Sequence, residues 1–130
     1  VLTGHKKLAE MSHAAGKPYL LHACGNLETI MDDLIDDVKI DGIHSFEDLI
    51  EPVTVAKERY GERVSLLGGA DVDFLCRGSA DDVREYTRNI CGKCMPGGGF
   101  CLGTGNSVTN YIPLENYFVM LDEGRKFAGR

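Results

Sequence analysis

The stretch of the chain that decides the fold is Tyr19–Asn26, which reads YLLHACGN. Apolar residues lead into a His-x-Cys pair, and a Gly-Asn turn follows before a helical pattern begins. Residues i and i+2 of a β-strand face the same side, so His22 and Cys24 are expected to project together from the end of one strand. One imidazole and one thiol then converge on one point. A third ligand is needed for a metal site, and Cys101 is the candidate.

The composition is that of an ordinary globular domain. The 130 residues are 43% hydrophobic and 26% charged, which predicts a single domain over residues 1–130. The formal net charge of -6, without a basic stripe, argues against a nucleic-acid partner or an anionic membrane surface. No apolar run approaches the roughly 20 residues that span a bilayer, and no signal-peptide pattern opens the chain. We therefore expect a cytoplasmic protein.

The cysteines are odd in number, and their spacing is not that of a small disulfide-stapled domain. In a reducing compartment, five such cysteines are metal ligands, nucleophiles or small buried hydrophobic residues. The chain also begins at Val1 rather than at an initiator methionine, so we expect it to be a piece of a longer protein.

Strand patterns alternate with helical patterns along the whole chain. One helix is predicted over residues 3–15, and helical patterns follow each of four predicted strands, at about 19–24, 40–46, 64–69 and 99–102. No hairpin signal interrupts this order, which favours a parallel sheet covered by helices. Two α/β architectures fit, a compact doubly wound domain and half of a (β/α)8 TIM barrel. A full barrel takes about 250 residues, so four βα units preceded by one helix match the half barrel well.

Several helix boundaries are marked by local signals. Asn26 is placed to cap an amphipathic helix over about 27–38, and Ser79 with Asp82 resembles a capping box. Pro113 is expected to open the last helix, whose apolar stripe would consist of Leu114, Tyr117, Phe118 and Leu121.

Both architectures place functional sites beyond the carboxyl ends of the strands. His22 and Cys24 end the first strand, and Cys101 lies near the end of the fourth, so in a barrel all three can approach one ion at the mouth. A His-Cys-Cys set leaves one tetrahedral position open, as in catalytic zinc sites. Zinc with two thiolates and a neutral imidazole is about neutral, so a substrate thiol can bind to it as a nucleophilic thiolate.

These residues carry a family resemblance. It rests on the HACGN motif, the 77-residue interval from Cys24 to Cys101, and the motifs Gly68–Asp71, Thr104–Ser107 and Pro113–Asn116. The chain resembles the carboxyl-terminal half of the uroporphyrinogen decarboxylase superfamily, and more narrowly its zinc-dependent, corrinoid-linked methyltransferases. The resemblance implies a TIM barrel with His22, Cys24 and Cys101 as zinc ligands. It also implies methyl transfer between the cobamide of a separate corrinoid protein and either a small thiol or a methylated small molecule.

The chain departs from the family in two ways. The decarboxylases carry Leu-Gly-His-Gly on the last strand, whereas Leu102–Gly105 here reads LGTG, which makes porphyrinogen decarboxylation the less expected activity. The family's amino-terminal half is absent, and a half barrel exposes sheet edges that have to be covered. We therefore expect either a homo-oligomer or completion by the missing half. A non-catalytic zinc-binding fragment is a third interpretation.

Further residues are candidates for the chemistry. Glu47 is a candidate catalytic residue, as an exchangeable zinc ligand or a proton acceptor, although it could equally be a helix cap. The candidate substrate-binding residues are His44 within the second predicted strand, Asp71 after the third and Asn106 after the fourth. The alternative explanations are packing for His44, helix entry for Asp71 and turn geometry for Asn106.

A rival metal or redox site is suggested by a CxxC motif. Cys91 and Cys94 could join His22 and Cys24 in a structural zinc site, or act as a redox dithiol. Cys91 continues the apolar face of its predicted helix, however, so packing in the core is the favoured interpretation.

Overall fold

The computed structural model describes residues 2–129. The helical and strand elements are, in chain order, α1 (Leu2–Ala14), β1 (Leu20–His22), a 3₁₀ turn (Glu28–Ile30), a π-helical segment (Asp33–Val38), β2 (Gly42–His44), α2 (Val53–Tyr60), β3 (Ser65–Ala70), α3 (Val72–Arg77), α4 (Ala80–Cys94), β4 (Phe100–Thr104) and α5 (Leu114–Phe127). Over these residues, no helix combines the length and the apolarity that crossing a membrane requires.

The four strands form one parallel sheet in the order β1-β2-β3-β4. The predicted α/β class, with four parallel strands alternating with helices after a first helix, is thereby confirmed and is consistent with half of a TIM barrel. The register aligns one residue of each strand in a single row, namely His22, His44, Leu67 and Cys101. Residues in one row of a parallel sheet share a face, so this face carries both histidines and Cys101.

The two faces of the sheet differ in burial. Leu21, Ile43 and Leu66 are almost completely buried beneath the helices. Leu20 precedes Leu21 and points the other way, and 52% of its surface is exposed. Buried parallel sheets are covered on both faces, but here the covering layer lies on one side. The face that carries the His22 row is the open one.

The segment after Asn26 differs from the predicted helix. Asn26 forms a local turn before it, because its Oδ1 accepts a hydrogen bond from Glu28 N at 2.9 Å, but the N-cap of the 3₁₀ turn is Leu27 and not the predicted Asn26. The chain then forms a 3₁₀ turn and a π-helical segment rather than one α-helix. Lys39 ends the segment with a positive φ of 63°. The predicted apolar positions are nevertheless mostly used, since Met31, Leu34 and Val38 are buried in the core.

The buried face of α5 is not the predicted one. Leu114 and Phe118 are 68% and 51% exposed, so the predicted apolar stripe was wrong for these two residues. The buried positions are Asn116, Met120, Glu123 and Gly124.

Polar contacts explain this rotation of α5. Asn116 Nδ2 donates to Leu75 O and Gly78 O at 2.9 and 2.8 Å. A Cβ at Gly124 would lie 2.4 Å from Leu102 Cδ2, so glycine allows the helix to approach β4 closely. The hydrogen bonds of Asn116 and the small size of Gly124 therefore determine which face of α5 is buried. A pattern of hydrophobic residues does not reveal these two features.

Candidate metal centre

His22 and Cys24 lie together at the carboxyl end of β1. His22 is the last residue of the strand, and Ala23 N donates to His44 O at 3.3 Å, which continues the pairing with β2. Gly25 then turns the chain with a φ of 100°, a conformation that glycine adopts without strain. Cys24 Sγ lies 3.5 Å from His22 Nε2. The structure thus brings these two predicted ligands to one point.

His44 contacts the other side of the His22 ring. The two Nδ1 atoms are 2.7 Å apart, and the rings stack with centroids separated by 4.9 Å. His44 Nε2 lies 3.0 Å from Thr104 O, the carbonyl of the last residue of β4. His44 thereby links the end of β1 to the end of β4 across β3.

The Cys24 sulfur is also surrounded by polar groups from two loops. Ser45 Oγ and Asn106 Nδ2 each lie 3.5 Å from Cys24 Sγ, in positions to donate hydrogen bonds to it. Ser45 has a φ of 98°, which is rare for a residue with a side chain and costs free energy. Such strain is typical of functional sites, and here it turns the hydroxyl toward the sulfur.

Asn106 reaches Cys24 because the chain after β4 crosses the end of β3. Gly105 N donates to Ala70 O at 2.6 Å, and Gly105 O accepts from Phe46 N at 3.2 Å. A Cβ at Gly105 would lie 2.0 Å from Phe46 O, so only glycine fits this crossing. The carboxyl ends of β2, β3 and β4 therefore converge, as barrel topology requires of an active-site face.

Cys101, the third predicted ligand, is exposed on the open face in the same row as His22. Two strands separate β4 from β1, so the backbones are three strand spacings apart, about 14 Å. Within residues 2–129, no three His, Cys, Asp or Glu side chains are grouped closely enough to hold a metal ion. The structure thus gathers His22 and Cys24 but does not bring Cys101 to them.

The donor atoms at this end of the sheet fit zinc. Ligand distances of about 2.0 Å to nitrogen and 2.3 Å to sulfur place two ligands of one tetrahedral zinc ion about 3.5 Å apart. The 3.5 Å between His22 Nε2 and Cys24 Sγ corresponds to this separation. Cys101 shares their face, so a sheet that closes around this face would direct its thiol toward them. The assignment of His22, Cys24 and Cys101 as metal ligands stays a prediction.

Glu47 and Asn106 border a cavity of about 370 Å³ at the same end of the sheet. Its wall comes from the segments after β2, β3 and β4. Thr109 also lines this cavity, and its hydroxyl is buried without a hydrogen-bond partner among residues 2–129. Because Asn106 also contacts the Cys24 sulfur, the cavity adjoins the His22–Cys24 pair.

Asp71 is the N-cap of α3. Of the two roles considered for it, substrate contact and helix entry, the structure shows helix entry. Its Oδ1 accepts from Asp73 N and Phe74 N, and its Oδ2 accepts from Asp48 N at 2.7 Å. Tyr86 completes the network, since its hydroxyl donates to Asp48 Oδ2 at 2.7 Å and accepts from Asp71 N.

Burial raises the pKa of two groups in this network, Asp48 and Tyr86. It raises the pKa of Asp48 despite the hydrogen bond from Tyr86, and the nearby Asp71 carboxylate adds to the rise. Burial likewise raises the pKa of Tyr86, which stays a phenol at any physiological pH. The network therefore fixes the loop after β2 to the start of α3, and Glu47 belongs to that loop.

The CxxC cysteines lie away from this site, in the core beneath the sheet. Cys91 and Cys94 are both fully buried on the inner face of α4. Burial raises the pKa of both thiols, that of Cys94 to about 11. Neither thiol contacts His22 or Cys24. This agrees with the interpretation that both cysteines pack in the core.

Two residues of the site were not predicted from the sequence. Ser45 was missed because its positive φ has no sequence signature, and Thr109 was missed because it lies in a loop without a motif. The glycines offered a partial signal. Gly68 and Gly105 mark the points where the backbone comes closest to His44 and Phe46.

Two comparisons with known proteins identify the family of this chain. A methylated-thiol–coenzyme M methyltransferase of Methanosarcina mazei is 32% identical over 117 residues, which are 89% of this chain. The aligned part is 29% of that relative, so the chain spans less than a third of its length. Residues 1–127 also match the family described as uroporphyrinogen decarboxylase (URO-D), nearly the whole chain. The chain therefore belongs to the uroporphyrinogen decarboxylase family.

Proposed function

We propose that this chain contributes the metal-binding side of a zinc-dependent methyltransferase. The enzyme would move a methyl group between the corrinoid cofactor of a partner protein and a thiol or methylated small molecule. The observation that carries the proposal is the 3.5 Å pair of His22 Nε2 and Cys24 Sγ at the carboxyl end of the sheet. The similarity to a methylated-thiol–coenzyme M methyltransferase supports this class of reaction over others in the family.

In this proposal His22, Cys24 and Cys101 hold the zinc ion. When bound, zinc supplies a Lewis acid that keeps a substrate thiol deprotonated near neutral pH. Ser45 and Asn106 donate hydrogen bonds to Cys24 Sγ and so stabilise negative charge on that sulfur. These two hydrogen bonds would withdraw electron density from the Cys24 sulfur. They would thereby lower the electron density on a substrate sulfur bound to the same ion.

Glu47 is proposed to receive the proton that the thiol loses. It lies in the loop held by the Asp48–Asp71 network and borders the cavity beside Asn106. The thiolate sulfur would then use its lone pair to form a bond to the methyl carbon, and the methyl donor would leave with the electron pair of the bond that breaks. The proton then has an acceptor at the same end of the sheet.

The cavity bordered by Glu47 and Asn106 is the proposed site for the small substrate. Its volume of about 370 Å³ lies in the range of small-molecule sites. Thr109 lines the same cavity, and its buried hydroxyl lies behind the surface that a substrate would contact.

Decarboxylation of a porphyrinogen is less well supported by the residues. Thr104 stands where the decarboxylases carry a histidine, and its hydroxyl donates to Asn106 O at 2.6 Å. Its carbonyl accepts from His44. Thr104 thus organises the loop that carries Asn106 and contributes no acid or base.

The test is zinc content per chain after purification and reconstitution. His22→Leu, Cys24→Ser and Cys101→Ser are each expected to lose most of the zinc that the unaltered chain binds. Cys76→Ser is the matched control, because this partly buried cysteine lies on α3 outside the proposed ligand set. Chains that keep zinc would then be mixed with methylcobalamin and a thiol, and thioether formation would be measured.

Two results would contradict the proposal. Loss of zinc only in a Cys91→Ala/Cys94→Ala variant would assign the metal to the buried pair. Absence of zinc from the unaltered chain even after reconstitution would remove the metal from the mechanism.

A further inference from the structure

His44 lies in an unbroken line of contacts from the end of β4 to the proposed ligands. Thr104 O is 3.0 Å from His44 Nε2, His44 Nδ1 is 2.7 Å from His22 Nδ1, and His22 Nε2 is 3.5 Å from Cys24 Sγ. Each imidazole in this line uses both of its ring nitrogens.

The chemistry of these groups permits one arrangement of protons for two neutral rings. A carbonyl oxygen only accepts hydrogen bonds, so His44 Nε2 must carry the hydrogen that Thr104 O receives. His44 Nδ1 is then an acceptor, and His22 Nδ1 must donate to it. The remaining nitrogen, His22 Nε2, then carries a lone pair and faces Cys24 Sγ.

We propose that His44 is a positioning residue that holds His22 in the tautomer and orientation required for metal binding. The proposal rests on the proposed function, because it assigns His44 a role toward the ion that His22 would bind. Outer-sphere partners of ligating histidines commonly perform this task and raise metal affinity. Both nitrogens of His44 are engaged, so this role is favoured over direct contact with substrate.

Gly68 in β3 makes the line of contacts possible. A Cβ at this position would lie 2.6 Å from Thr104 O and 2.9 Å from His44 Nε2. The missing side chain lets the His44 ring reach over β3 to the carbonyl on the next strand. Because the acceptor is a backbone atom of the sheet, the His44 ring is fixed by the fold.

Two variants at one position test the role. His44→Leu removes the acceptor for His22 Nδ1, whereas Asn in His44→Asn keeps an oxygen near the position of the lost Nδ1. We expect His44→Leu to weaken zinc binding about 10- to 100-fold, measured by competition with a chromophoric chelator. We expect His44→Asn to stay within about threefold of the unaltered chain. His13→Leu, on α1, controls for the loss of a histidine that contacts Asp41 and not the proposed ligands.

A second measurement needs neither zinc nor activity. Long-range ¹H–¹⁵N spectra of the zinc-free chain at about pH 8, where ordinary imidazoles are neutral, report which nitrogen of His22 carries hydrogen. We expect the Nδ1–H form in the unaltered chain and loss of that preference in His44→Leu. Comparison with His22→Leu identifies the signal.

The outcomes separate this inference from the proposed function. Equal zinc affinity in His44→Leu and the unaltered chain, or an Nε2–H form of His22 in the unaltered chain, would overturn the role of His44 and leave the metal assignment intact. Absence of zinc binding by the unaltered chain would overturn both.

Discussion

Ser45 combines an unfavourable backbone conformation with a contact to the proposed metal ligand. A φ of 98° suits glycine, yet the sequence places a hydroxyl there, 3.5 Å from Cys24 Sγ. Residues held in such conformations cost of order 1–3 kcal/mol. A contribution of the hydroxyl to the environment of Cys24 explains why the strain is tolerated at this position.

Two substitutions at Ser45 separate strain from the hydrogen bond. Ser45→Ala removes the hydroxyl and keeps the strain, whereas Ser45→Gly removes both. We expect the Gly variant to be more stable than the Ala variant by about 1 kcal/mol, measured by urea unfolding of zinc-free protein. Both variants should bind zinc less tightly than the unaltered chain. Equal stability of the two variants would show that the backbone at this position carries no strain.

The five cysteines are expected to differ in reactivity according to their exposure. Cys24 and Cys101 are exposed, whereas Cys91 and Cys94 are buried. Burial raises the pKa of Cys91 and Cys94, so these two side chains remain protonated thiols. An alkylating reagent should therefore modify Cys24 and Cys101 rapidly in the native chain, and Cys91 and Cys94 only after unfolding. Peptide mapping by mass spectrometry assigns the sites.

Zinc adds a second arm to this labelling experiment. If both exposed thiols are ligands, zinc should slow their modification together and leave Cys76 unaffected. Protection of Cys24 without protection of Cys101 would contradict the proposed third ligand.

At the scale of elements, the parts of the fold that follow from local rules were predictable. The capping box at the start of α4 is present as predicted, with Asp82 N donating to Ser79 Oγ and Ser79 N donating to Asp82 Oδ2. The four strands and their parallel order were also predicted, because alternating βα patterns leave few other topologies. The short helix α3 was missed, since six residues give too little periodicity to recognise.

The predictions failed where tertiary contacts decide the outcome. The exposed Leu114 and Phe118 would mark the inner face of α5 by hydrophobicity, but the helix turns Asn116 and Glu123 inward to meet partners from α3 and α4. The same holds for the site. His22 and Cys24 were predictable from strand alternation, whereas the contacts of His44 and Ser45 depend on backbone geometry set by distant segments.

Gly68 in β3 allows Thr104 O and the His44 ring to approach closely, and a substitution at this position tests that contact. Gly68→Ala places a methyl group against Thr104 O at a φ of 93°, and we expect it to destabilise the fold by about 1–3 kcal/mol. Gly4→Ala is the matched control, since no atom lies within 4 Å of a Cβ there and α1 should gain up to about 1 kcal/mol. Urea unfolding of both variants measures the difference. An unchanged stability of Gly68→Ala would contradict the close approach.

Glu123 of α5 accepts hydrogen bonds from arginines of α4. Because these contacts need its carboxylate, we expect the stability of the fold to depend on pH. Its side chain is 4% exposed and accepts from Lys126 Nζ at 2.9 Å and from Arg88 Nε at 2.8 Å. The hydrogen bond from Lys126, followed by that from Arg88, lowers the pKa of Glu123. A carboxyl whose pKa is lower in the folded state stabilises the fold above its unfolded pKa, about 4.3, and this contribution is lost as the pH falls through the folded pKa.

Glu123→Gln tests that contribution directly. We expect the variant to be less stable than the unaltered chain at neutral pH and the difference to shrink as the pH falls below about 4.3. Unfolding free energies measured across this pH range give the comparison. Glu85→Gln, an exposed position on α4, is the control and should show little effect at any pH. A Glu123→Gln deficit that persists unchanged at acid pH would assign the effect to packing.

At the scale of the whole molecule, the sheet is covered on one face and open on the other. The open face carries Leu20 beside the row of His22, His44 and Cys101, and β1 and β4 are edge strands of the described residues. Exposed apolar residues next to unpaired strand edges favour association with another protein surface. The proposed metal site faces the same side, so a surface that covers this face would also affect how Cys101 approaches the other two proposed ligands.

The last prediction follows from that open face. The chain of residues 1–130 on its own is expected to self-associate, with an average mass above 14.2 kDa that rises with concentration in sedimentation equilibrium. Leu20→Lys puts a charge on the open face and should shift the equilibrium toward the monomer, because burying an unpaired charge in the contact is costly. Val55→Lys, a partly exposed position on α2, should not.

The effect of zinc on the same equilibrium tests whether site and interface are coupled. Association that brings Cys101 toward His22 and Cys24 would strengthen with zinc and lose this dependence in Cys101→Ser, since a ligand stabilises the state that binds it. A monomer at all concentrations, or equal effects of Leu20→Lys and Val55→Lys, would show that the open face does not drive association. The metal site would then have to form within a single chain.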